Sequence, residues 1–127
     1  MGAPESFSYT IVRVVPRVER GERLNVGVVL YCRRRQFLAA RIELDEARLA
    51  AIAPGCDAAQ LRPALDALVA VAAGDPAGGP VARLDQSDRF GWLAAPSSTV
   101  IQPSAVHTGL SEDPAAELDR LFDRLVG

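Results

Sequence analysis

The densest group of side chains able to hold an anion lies early in the chain. Arg13, Arg17, Arg20 and Arg23 are close together, and Asn25 follows. A guanidinium offers a rigid fork of donors that matches phosphate and carboxylate oxygens. Gly21, in their midst, is free to take positive φ. Glu19 and Glu22 lie in the same turn and can neutralise part of the cluster. A charged turn is also an ordinary way to solvate a hairpin.

Three other groups carry chemistry. The only histidine, His107, lies near hydroxyls at Ser97, Ser98, Thr99, Ser104 and Thr108. A Ser/His pair can support nucleophilic catalysis, but no G-x-S-x-G elbow is present to hold a strained serine. The run Arg89-Phe90-Gly91-Trp92-Leu93 holds the only tryptophan. It can stack a base or anchor a partner, or it can supply core aromatics. Arg33-Arg34-Arg35 can touch nucleic-acid backbone, although a solvated turn that discourages edge pairing fits it better.

No phosphate loop, dinucleotide fingerprint or H-x-x-x-H pair occurs. Cys32 and Cys56 form no C-x-x-C spacing, so no metal and no cofactor is expected. An enzyme therefore stands as an open alternative rather than the leading reading.

The whole-chain numbers bound the rest. The chain of 127 residues has the size of one domain. Its 49% hydrophobic and 24% charged residues are ordinary for a globular protein. A net charge of −2 and a pI near 5.4 give no overall attraction to nucleic acid or anionic membrane. All 14 basic residues are arginine. They are spread along a chain rich in Ala, Gly and Pro, so coding bias explains them better than selection for a site. Two cysteines, no signal peptide and no membrane-length apolar run predict a cytoplasmic protein.

These residues must be positioned by regular elements. Phe7 to Val15 is rich in aromatic and β-branched residues, which suit a strand, and Pro16 ends it. Phe7, Tyr9, Ile11, Arg13 and Val15 share one face by period 2. Leu24 to Cys32 is almost continuously apolar and reads as a central strand buried on both faces. Gly27 inside it predicts a bulge or a close approach. Simple alternation puts Asn25, Gly27, Val29 and Tyr31 on one face, opposite Leu24, Val26, Val28 and Leu30. After the Arg33 to Arg35 turn, Gln36 to Leu44 completes an antiparallel meander.

Helices follow. Asp45 reads as an N-cap, with Leu44 and Leu49 at staple spacing and a stop at Pro54-Gly55. Asp57 and Gln60 resemble a capping box. Pro63 argues for a start nearer Arg62. Leu61, Leu65, Leu68, Val69 and Ala72 make the apolar face, with Gly74 and Pro76 as the stop. Asp75 to Pro80 reads as a mobile loop, and Ser87 as the cap of a short helix carrying Phe90, Trp92 and Leu93. Ser98 to Gln102 and Ala105 to Leu110 read as short strands. Asp113-Pro114 opens a last helix with the stripe Leu118, Leu121, Phe122 and Leu125. Strands followed by helices predict an α+β fold with an antiparallel sheet, helices on one face. The open face would then hold Tyr9, Arg13, Asn25 and Arg41.

Four blocks carry a resemblance: Tyr9-Thr-Ile-Val-Arg13, Arg20-Gly-Glu-Arg-Leu-Asn-Val-Gly-Val-Val-Leu30, Arg89-Phe-Gly-Trp-Leu93 and Thr99-Val-Ile-Gln-Pro-Ser-Ala-Val-His-Thr-Gly109. Together they resemble the bacterial domain-of-unknown-function family numbered 3037, over nearly the whole chain. The resemblance implies no reaction. It implies small stand-alone proteins, some encoded beside proteins similar to HipA-type kinases, and hence an accessory role with a protein partner. It directs attention to Arg13, Arg20, Glu22, Asn25, Arg89, Trp92, His107 and Thr108.

Three readings follow. The first is a non-catalytic binding or accessory module using the sheet face and the Arg20 to Asn25 turn. The second is an enzyme or small-ligand site gathering Arg13, Arg20, Glu22, Asn25, Arg89 and His107 into one pocket. The third is nucleic-acid binding through arginines, which the acidic pI disfavours.

Overall fold

The N-terminal third folds as an antiparallel meander because runs rich in β-branched and apolar residues are separated by turns that carry charge or glycine. In the computed structural model, which describes residues 3–97 and 99–127, β1 spans Glu5–Val14, β2 spans Leu24–Cys32 and β3 spans Phe37–Ile42. Two short strands complete the sheet, β4 at Ile101–Pro103 and β5 at His107–Ser111. The order is β3-β2-β1-β4, with β5 also pairing β1, and every pairing is antiparallel. The helices are α1 at Glu46–Ile52, α2 at Ala58–Ala73, α3 at Gln86–Ala94 and α4 at Pro114–Leu125. The fold is α+β, as the order of strands and helices predicts. The expectations for Met1, Gly2 and Ser98 lie outside the described residues.

Helix placement differs from expectation. Helices α1 to α3 cover one face, where Leu49, Leu61, Leu65 and Phe90 join Val12, Val14, Val29 and Leu38 in one core. Helix α4 covers the opposite face, where Leu118, Leu121 and Phe122 meet Phe7, Val28, Leu30 and Cys32. The reason is in β2: buried on both faces, it needs an apolar layer on each side. The expected open face is thus partly covered. There Arg41 lies 4.2 Å over the Phe122 ring and pairs with Asp119 at 2.8 Å.

A second difference lies inside β2. Val12 pairs with Gly27, but Arg13 pairs with Asn25, so Val26 is the extra residue of a bulge. The bulge shifts the alternation by one residue. Leu24 and Val26 join the core under α1 to α3, while Val28 and Leu30 face α4. Asn25 changes sides accordingly and bonds the carbonyl of Leu125 on α4. Simple alternation therefore fails for the first half of the strand.

Helix starts follow the expected chemistry in part. Asp45, Asp57 and Asp113 each accept from a backbone N–H of the first turn. Helix α2 begins at Ala58, not near Arg62, and Pro63 lies inside it. Pro63 is exposed, so the carbonyl it leaves unpaired can be hydrated. Its buried face uses Val71 where Val69 was expected, and Val69 is exposed. The cap of α3 is Asp85 rather than Ser87, since Asp85 accepts from the Asp88 N–H. The Asp75 to Pro80 stretch is built rather than loose: it forms 3-10 turns at Pro76–Gly78 and Pro80–Arg83, with Asp75 capping the first.

Strands β4 and β5 are two halves of one line beside β1, joined across Ser104. The Ser104 hydroxyl accepts from the Ile11 N–H at 2.8 Å and donates to the Ala105 carbonyl at 2.8 Å. Fully buried Thr10 donates to the Ser104 carbonyl at 2.7 Å. Ser104 thus satisfies a backbone donor where the ladder is interrupted. Replacing Ser104 with Ala should orphan the Ile11 N–H and cost about 2 kcal/mol, read as a lower urea midpoint at unchanged slope.

Candidate anion-binding site

The bulge at Val26 has a local consequence. It sets Asn25 beside Arg13, and the Arg13 Nε donates to the Asn25 Oδ1 at 3.3 Å. The amide of Asn25 donates in turn to the Leu125 carbonyl at 3.1 Å. Arg48, from α1, donates to the neighbouring Val126 carbonyl at 2.9 Å. These two donors satisfy carbonyls that the last turn of α4 leaves without intrahelical partners. They also fix the walls of a recess of about 450 Å³ lined by Arg13, Arg23, Leu24, Asn25, Arg48 and Leu125.

The lining of that recess is cationic. Arg48 has a carboxylate nearby, Asp45 at 3.5 Å. Arg13 and Arg23 have no carboxylate partner among the described residues. Burial lowers the pKa of Arg13 from its ordinary value, and the charge of Arg23 lowers it further. Both causes describe a cation that an incoming anion would relieve. A smaller adjoining recess of about 150 Å³ carries the acidic side, Glu43 and Asp45. Among the described residues, those lining the cationic recess are three arginines, an asparagine and two leucines, a set suited to holding negative charge.

The other residues singled out from the sequence lie elsewhere. Arg20 and Glu22 pair with each other at 2.7 Å in a separate recess of about 410 Å³ beside Pro54 and Gly55. Arg89 is buried, and its Nη1 donates to the carbonyls of Val71 and Ala72 at 3.1 and 3.0 Å. Trp92 is 48% exposed on the rim of an apolar groove of about 350 Å³ between α2, α3 and β4. His107 and Thr108 sit on β5, with the His107 ring stacked on Tyr9 at 5.2 Å. Arg13 and Asn25 come together. Arg20, Glu22, Arg89 and His107 do not join them.

The geometry adds two residues to the site. Arg23 belongs to the charged turn already noted in the sequence. Arg48 had no sequence signal, because its position at the recess depends on its side chain reaching the Val126 carbonyl just past the end of α4, far along the chain. Arg35, from the arginine run, is occupied: it donates to the carbonyls of Glu112 and Ala3 at 2.7 and 2.9 Å. Among the described residues no group of three His, Cys, Asp or Glu could hold a metal ion, and no helix is long and apolar enough to cross a membrane.

The family model described as "Protein of unknown function (DUF3037)" matches residues 9–126. No curated protein and no solved structure matches.

Proposed function

We propose that this chain, which belongs to the DUF3037 family, is a non-catalytic binding module that receives an anionic group in the Arg13–Asn25 recess. The observation that carries this reading is the pair of guanidiniums, Arg13 and Arg23, crowded together without a carboxylate. Folding like charges together costs free energy, and a bound phosphoryl or carboxylate group would recover it. The anion would belong to a protein partner, which makes the chain an accessory component. A kinase of the HipA-like kind is the partner class that the family resemblance implies. Two free cysteines fit a reducing, cytoplasmic setting.

The test uses inorganic phosphate as probe, with NMR shifts of the Asn25 side-chain amide as readout. The amide should titrate with phosphate. Replacing exposed Arg23 with Gln should weaken binding about tenfold or more, given about 1.5–3 kcal/mol per charged hydrogen bond. Wild-type affinity in Arg23→Gln and Arg13→Gln alike would sink the reading. The alternative of an enzyme or small-ligand site draws on the same recess. Turnover of a phosphorylated or carboxylated substrate, abolished by Arg23→Gln, would favour it instead.

A further inference from the structure

Strand β5 is an open edge without the usual protections. It hydrogen-bonds to β1 on one side only, and among the described residues no strand pairs its other side. Natural edges are commonly guarded by charge, proline or a covering element. The opposite edge, β3, follows three arginines and carries Arg41. His107-Thr108-Gly109-Leu110-Ser111 contains no lysine, arginine, carboxylate or proline. Leu110 is 71% exposed and Val106, just before the strand, is 48% exposed.

The order of residues along this edge is symmetric in a way that selects a partner. Val106 and Leu110 are equally distant from Thr108; Thr108 and Leu110 share one face of β5, and Val106 directly precedes the strand. His107 and Gly109 flank Thr108 on the other face. Two copies running antiparallel, centred on Thr108, would put Val106 opposite the partner's Leu110. The partner's Val106 would likewise lie opposite Leu110. His107 would face the partner's Gly109, a bulky ring against a residue with no side chain. Gly109 is already roofed by Phe7: a Cβ there would lie 2.7 Å from the Phe7 ring. The partner's His107 would therefore meet the Phe7 ring over Gly109, an aromatic contact rather than an open slot. An isologous contact needs this self-complementarity, because each residue meets its own symmetry mate's counterpart.

We propose that β5 is a self-recognition edge through which two copies of this chain join their sheets about a twofold axis at Thr108. Each exposed apolar residue then finds an apolar partner, and the free backbone groups of β5 complete a ladder. A five-residue edge buries modest area, so the association should be weak and concentration-dependent.

Sedimentation equilibrium on the full chain should show mass rising from 13.5 kDa toward twice that value with concentration. Thr108→Lys places like charges opposite each other at the axis and should return the monomer at all concentrations, with an unchanged circular dichroism spectrum. In a Cys56→Ser background, Thr108→Cys should form a covalent dimer on mild oxidation, since paired Cα atoms lie about 4.5–5.5 Å apart. Leu110→Cys alone should not, because its mate then lies about four residues away along the strand, some 13 Å. A wild-type protein monomeric at the highest attainable concentration overturns the proposal. So does a dimer that survives Thr108→Lys, or one that crosslinks at Leu110→Cys as readily as at Thr108→Cys.

Discussion

Gly27→Val should lower stability by about 3 kcal/mol and the melting temperature by roughly 10 °C. The cause is space rather than backbone conformation. A Cβ at Gly27 would lie 2.6 Å from the Ile42 Cγ1 and 2.7 Å from the Arg41 carbonyl oxygen. The side-chain atom can turn away, but the carbonyl belongs to the chain of β3. Relief requires parting β2 from the edge strand β3 at the Gly27–Ile42 pair, where their ladder ends. Val26, the bulged residue next to Gly27, sets Asn25 beside Arg13, so a displacement of β2 at Gly27 would reach the recess. Phosphate binding should therefore fall with stability, although Gly27 touches no part of the recess. Urea denaturation of Gly27→Ala and Gly27→Val checks this: the alanine should already cost measurable stability and the valine more. An alanine variant that melts with the wild type would refute the close approach.

The glycine was visible as an interruption in an apolar strand, and that single residue foretold a bulge or a close approach. Both are present. What alternation could not foretell was the consequence, because period-2 reasoning assumes an unbroken ladder. One extra residue reversed the faces of the strand between Val26 and Val28. The meander, the caps at Asp45, Asp57 and Asp113 and the last helix were legible, since each rests on local chemistry of a few neighbouring residues. The location of α4 was not, because it depends on which face of β2 remained uncovered once α1 to α3 had packed. The burial of β2 on both faces was itself read correctly and already required a second layer.

The site shows the same division. Arg13, Arg23 and Asn25 stood out as a cluster of donors around one turn. Arg48 is brought to them only by tertiary packing. Arg20 and Glu22, equally prominent in the sequence, neutralise each other. Ser104 looked like a hydroxyl in search of a base, yet its hydrogen bonds close the gap between β4 and β5. A hydroxyl's role depends on what lies across the sheet from it, and sequence spacing does not contain that information.

Arg89→Ala should cost about 3 kcal/mol, whereas Trp92→Ala on the same helix should cost distinctly less, about 1–2 kcal/mol. The two residues lie three apart in a block that reads as a stacking or partner-anchoring motif, so the contrast separates structure from recognition. Arg89 is 9% exposed and its Nη1 donates to the carbonyls of Val71 and Ala72 in the last turn of α2. That turn ends at Gly74 in the left-handed region, with φ of 72°. A Cβ there would meet the Arg89 Nη1 at 2.9 Å, so the glycine also leaves room for the guanidinium. The Arg89 Nε is buried without a partner among the described residues, which already subtracts from the side chain's contribution. Truncation removes the long aliphatic stem and both carbonyl bonds together, and it opens a void between α2 and α3. Lysine keeps the charge and much of the stem but loses the planar fork, so Arg89→Lys should fall between alanine and wild type. Trp92, half exposed on the rim of the apolar groove, gives up only the covered half of its surface and no hydrogen bond that holds α2. If Arg89→Ala unfolds at the wild-type urea midpoint, the guanidinium is not what closes α2, and a recognition role for the block regains ground.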